Sequence, residues 1–114
     1  MAVTRISWWQ WLPVFRWRVV ATCDAADEVP QALPRNAAVL VASGNVTKWL
    51  VFDCPCRSGH RMLLPLQGKP RWNVVSMRPL TVAPSVDYRG VGRRCHYIMR
   101  AGSVDWVEQR ENHG

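Results

Sequence analysis

From residue 17 onward the chain alternates short apolar runs with turn residues, at the spacing of a small all-β domain. Residues 17–22 read as a strand. Residues 24–30 then form one helical turn, with Asp24 as its N-cap and Pro30 stopping it. Residues 37–42 are an apolar strand closed by Ser43-Gly44-Asn45, and 48–53 return as its hairpin partner. Residues 60–66 continue as a strand after Ser58-Gly59, and 72–77 follow the loop at 67–70. Residues 80–82 lead into Pro84-Ser85, and 96–100 pair with 103–106 across Ala101-Gly102. The pattern predicts a mainly β fold of seven or eight short strands with one or two short helices, arranged as a small sheet or half-open barrel.

Ahead of this domain, residues 1–16 form an arm rich in tryptophan (Trp8, Trp9 and Trp11) with no clean period, expected to cap the core or to dock a partner. A single domain over 17–108 and a polar, frayed tail over 109–114 complete the expected organisation. At 114 residues and 48% apolar content the chain is long enough for a modest core and too apolar for a disordered segment. The net charge of +7 rests on thirteen arginines against two lysines, which favours planar anionic partners and also follows from a GC-rich coding bias. Arg5, Gln10, Pro13, Arg16 and Arg18 interrupt any signal-peptide core, and no apolar run is long enough to span a membrane. A reducing cytoplasm with free thiols is the expected setting.

Three of the four cysteines and two of the three histidines fall in two clusters, Cys54-Pro55-Cys56…His60 and Cys95-His96. Soft ligands gathered in pairs point to zinc. Proline stiffens the first cluster, so that thiolates two residues apart can converge on one ion. The expected ligands are Cys54, Cys56 and His96, with Cys95 as the fourth and His60 next. Neighbours on a strand point to opposite faces, so Cys95 and His96 reach one ion together only through a kink. Four ligands would make a structural site; three with water would make a catalytic one. Cys23 reads as a core residue. Ser85 is a turn serine by default and becomes a candidate nucleophile if His96 lies beside it. Asp53 and Asp87 flank these segments as the available carboxylates.

Several blocks, in order, resemble the bacterial family called domain of unknown function 6527. They are Trp17-Arg18-Val19-Val20, Ala25-Ala26-Asp27-Glu28-Val29-Pro30, Lys48 through Cys56, Gly59-His60-Arg61, Pro70-Arg71-Trp72, Leu80 through Val86 and Cys95 through Arg100. The family pattern Cys-Pro-Cys-Gly-Cys is replaced here by Cys54-Pro55-Cys56-Arg57-Ser58, and a cysteine three residues before the histidine is replaced by Arg93. Either Cys95 substitutes as a ligand, or this member binds metal with fewer protein ligands. The resemblance implies a zinc-binding component of a bacterial ubiquitin-like conjugation pathway. Its expected activity is that of a peptidase or isopeptidase that processes or removes the modifier. The candidate attacking groups in this chain are water on an incompletely ligated zinc, or Ser85 aided by His96 as the catalytic residues. Expected partners are the ubiquitin-like protein or its precursor and an activating-enzyme relative. The alternative class is a non-catalytic zinc module that binds nucleic acid or serves as an adaptor, which salt-dependent binding to single strands would identify.

Overall fold

The computed structural model describes residues 3–56, 59–69, 71–90 and 93–107, with backbone alone at 89, 90, 93 and 94. The Arg57-Ser58 pair, Pro70 and the expected tail over 109–114 lie outside the described residues. The described strands are β1 (Arg18–Cys23), β2 (Ala37–Ser43), β3 (Val46–Asp53), β4 (Arg61–Pro65), β5 (Asn73–Met77), β6 (Leu80–Gly90), β7 (Arg93–Arg100) and β8 (Ser103–Trp106). They form two four-stranded sheets, β1-β2-β3-β4 and β5-β6-β7-β8, and do not close into a barrel. Two 3₁₀ turns, Trp8–Trp11 and Ala26–Glu28, are the helical elements among the described residues.

Alternation along each strand decides what it buries. In β7, Cys95, Tyr97 and Met99 are buried, while His96, Ile98 and Arg100 face the other way. In β6, Leu80, Val82 and Val86 join them. Val19, Ala38, Leu40, Leu50, Phe52, Met62 and Leu64 of the first sheet complete the same core, so the two sheets pack face to face. The first sheet is also apolar on its outer face. There Cys23, Val39, Val41 and Val51 are covered by Val29 and Leu33 of the 24–36 connection. This connection is a crossover, because β1 pairs with β2 in parallel. The other pairings are antiparallel, beginning with the β2–β3 hairpin that the sequence predicts. The expected cap at Asp24 does not form. The turn begins one residue later, and the Glu28 carboxylate instead accepts the Asp24 backbone N–H at 3.1 Å.

At one end of the molecule, main chain ties the sheets together: Trp17 N–H donates to Gly102 O, Gly102 N–H to Leu80 O, and Leu80 N–H to Trp17 O. Gly102 sits at φ +81, and an added Cβ would stand 2.8 Å from Arg16 Cβ and 3.0 Å from Pro79 Cβ. Gly102→Ala is therefore expected to destabilise the fold by roughly 2–4 kcal/mol, combining left-handed strain with overlap, and thermal unfolding measures it. The arm is fastened by Arg18. Its buried guanidinium donates to Gln10 Oε1 (3.0 Å), Gln10 O (2.6 Å), Arg35 O (2.7 Å) and Asn36 O (3.1 Å), with the Phe15 ring at 4.7 Å. Gln10 is thus the buried residue of the first turn, whereas Trp8, Trp9 and Trp11 remain exposed.

Candidate functional site

The second tie between the sheets is made by side chains. β3 ends at Asp53, directly before Cys54 and Cys56, and Cys54 N–H donates to His60 O at 3.1 Å before β4 begins. From the facing sheet, β7 points Cys95 into the same space. The ligand atoms of Cys54, Cys56, His60 and Cys95 all lie within 4.8 Å of one another, and this group could hold a metal ion. Either ring nitrogen of His60 is 3.7–3.8 Å from Cys56 Sγ. The imidazole stacks on Tyr88 of β6 at 4.1 Å, and Tyr97 Oη lies 3.4 Å from Cys54 Sγ.

These donors fit a tetrahedral soft-metal site. Bonds of about 2.3 Å to sulfur put neighbouring ligand atoms roughly 3.8 Å apart, which Cys56 and His60 already meet and which asks the rest of the group, all within 4.8 Å, to contract by about 1 Å at most. All four cysteines carry free thiols. Burial pushes the Cys54 thiol up and Cys95 up to about 12, with the neighbouring thiols adding to the effect at Cys95. Burial also pushes up the Tyr97 phenol, helped by Cys54. The raised Cys54 and Cys95 thiols are the state a bound cation would reverse, since it favours thiolates.

His96 is not among the four. It follows Cys95 directly and therefore projects from the opposite face of β7. There its Nε2 lies 3.1 Å from Ser85 Oγ. The sequence expectation gave His96 to the metal first and His60 last; the fold brings His60 to the thiols and His96 to the serine. Strand alternation enforces this division, because one face of β7 is core and the other is surface.

Ser85 reaches His96 through an irregularity in β6. Val82 pairs with Met99 and Val86 with Tyr97, so residues 83–85 stand opposite Ile98 alone. A bulge of this kind re-aims a side chain, and Pro84 within it has no N–H to give to a ladder. Regular pairing resumes at once, with Asp87 directly across from His96. The His96 carbonyl accepts the Val107 N–H at 2.9 Å, so the His96 main chain faces β8. Asp87 and His96 are thus a non-hydrogen-bonded pair, the kind that brings side chains closest, and both lie on the face that carries Ser85. Asp53 is elsewhere, in an ion pair with Arg61 at 3.0 Å. The arrangement presents a hydroxyl, an imidazole and a carboxylate along one exposed face, backed by the thiol–histidine group inside. No helix among the described residues is long and apolar enough to cross a membrane.

No curated protein and no solved structure matches this chain. One family model does, over residues 25–107, which takes in every strand but β1 and both side-chain groups. Its description is the bacterial ubiquitination-like system serine protease, BubE, and the chain belongs to that family.

Proposed function

We propose that this protein is a serine peptidase of a bacterial ubiquitin-like conjugation pathway, cutting the peptide or isopeptide bond that follows the modifier's C-terminal glycine. The Ser85 Oγ–His96 Nε2 contact of 3.1 Å carries the reading, on a chain of a family described as serine proteases. The earlier resemblance to the domain of unknown function 6527 belongs to the same reading. Ser85 attacks the carbonyl while His96 takes its proton, then passes that proton to the leaving amine; water releases the acyl group by the reverse route. Asp87, across the ladder, is the carboxylate that would hold the imidazole with its proton on Nδ1.

Zinc on Cys54, Cys56, His60 and Cys95 would be structural in this scheme. Three thiolates and one imidazole fill a tetrahedral shell, and the serine lies on the other side of β7. Zinc would supply cross-linking of the two sheets, while activation of the nucleophile falls to His96. The partners are the ubiquitin-like protein or its precursor and, through the pathway, an activating-enzyme relative. The site of action is the cytoplasm, where free thiols persist.

The test mixes purified protein with the ubiquitin-like precursor from its own gene neighbourhood and reads products by intact mass. A product ending at the glycine is expected, with cleavage lost in His96→Ala and the fold retained. A wild-type protein that leaves both precursor and conjugate uncut would overturn the proposal.

A further inference from the structure

Ser85 lies where β6 has lost its neighbours. β5 ends its pairing at Asn73–Ala83, and the bulge interrupts the ladder to β7 over residues 83–85. The Ser85 carbonyl is nonetheless held, by a side chain: the Trp72 indole N–H donates to it at 3.2 Å. Trp72 is itself fastened on the other sheet's side, its backbone N–H donating to Pro65 O at 2.9 Å, and its ring packs against the shared core. The Trp72 side chain thus stands in for the missing strand at the residue that carries the hydroxyl.

We infer that Trp72 is a positioning residue for the nucleophile, its indole N–H fixing the Ser85 main chain so that Oγ stays aligned with His96. This rests on the serine-peptidase reading above. Ala83 still pairs with Asn73 of β5, but Pro84 and Ser85 have no register partner on either neighbouring strand, so their backbone can tilt, and the 3.1 Å Ser85–His96 contact depends on that tilt. Misplacing a reacting atom by about 1 Å is enough to slow a reaction about a hundredfold. The effect should appear in the chemical step, because the indole hydrogen-bonds behind the serine and the proposed role gives it no contact with substrate.

The experiment separates the hydrogen bond from the packing. Benzothienylalanine in place of Trp72 keeps the ring's size and shape but puts sulfur where the N–H was; Trp72→Phe removes the N–H together with some volume. Each is compared with wild type for cleavage of the ubiquitin-like precursor, for the rate at which a fluorophosphonate labels Ser85, and for thermal midpoint. The expected result for the benzothienyl variant is a kcat lowered about tenfold or more, KM within about twofold, labelling slowed in parallel, and a thermal midpoint close to wild type. Wild-type cleavage and labelling rates in that variant would overturn this inference alone. Absence of labelling in the wild type would overturn the nucleophile assignment, and this inference with it.

Discussion

Ser85→Ala is expected to abolish cleavage, lowering kcat by a factor on the order of 10⁴ or more, as loss of the nucleophile does in serine peptidases generally. The fold should survive. Ser85 is half-buried on the outer face of its sheet, and among the described residues its hydroxyl bonds to His96, so the loss in stability is about 0.5–1.5 kcal/mol. Single-turnover cleavage beside a thermal melt distinguishes the two effects. Ser76 is the natural control, because its hydroxyl already donates to Pro79 O at 2.6 Å and has no imidazole partner in that contact. Ser76→Ala should cleave normally. Undiminished cleavage by Ser85→Ala would move the nucleophile elsewhere and dissolve the role given to His96.

The second large effect concerns the thiol–histidine group. Cys54 and Cys95 come from opposite sheets, and an ion joining them closes a loop of about forty residues. A covalent cross-link over such a loop is worth roughly 4 kcal/mol, and metal binding energy is folding energy in the same sense. Cys95→Ser, which alters the one member of this group that the second sheet contributes among the described residues, is therefore expected to cost on the order of 4 kcal/mol and to lower zinc content well below one per chain. The pH dependence should reverse on removing the ion. In the metal-bound protein, acid competes with the cation for the thiolates, so stability falls as pH drops. In the metal-free protein the buried Cys95 thiol is pushed from 9.0 to about 12. The unfolded chain then releases a proton that the folded chain keeps, and stability falls as pH rises from 9.0 towards 12. Melts across pH with and without chelator read both limbs; an alkaline limb in the metal-bound protein alone would contradict the assignment.

Much of this was legible in the residues. The apolar runs at 37–42 and 48–53 specify a hairpin, and Ser43-Gly44-Asn45 marks its turn, although a strand buried on both faces does not say which face meets the second sheet. Cys54-Pro55-Cys56 marks a candidate ligand pair, and the fold brings both thiols beside Cys95 and His60. The partners of those elements were less legible. Nothing in the period of 17–22 says that β1 runs parallel to β2, because pairing direction follows from the crossover at 24–36. The Cys95-His96 adjacency requires that one residue face inward and the other outward, yet alternation alone leaves open which sheet face is core. That choice decided which side chains gather beside the thiols. The bulge at 83–85 was hidden for a different reason: Ala-Pro-Ser reads as a turn, whereas here it interrupts a strand that runs on to Gly90. Trp72 showed itself as an apolar strand residue, and only its position across from the bulge reveals the use of its N–H.

The back-to-back placement of Cys95 and His96 also sets how this gene can vary. A single deleted or inserted codon that slid β7 by one residue would turn the thiol outward and the imidazole inward, dismantling the cross-link and the serine's partner together. Length polymorphism near this strand would thus be filtered twice over, whereas an indel in the exposed 67–69 loop leaves the register of β7 untouched. A library of one-residue deletions should show the contrast as a sharp trough across β7 and tolerance at that loop.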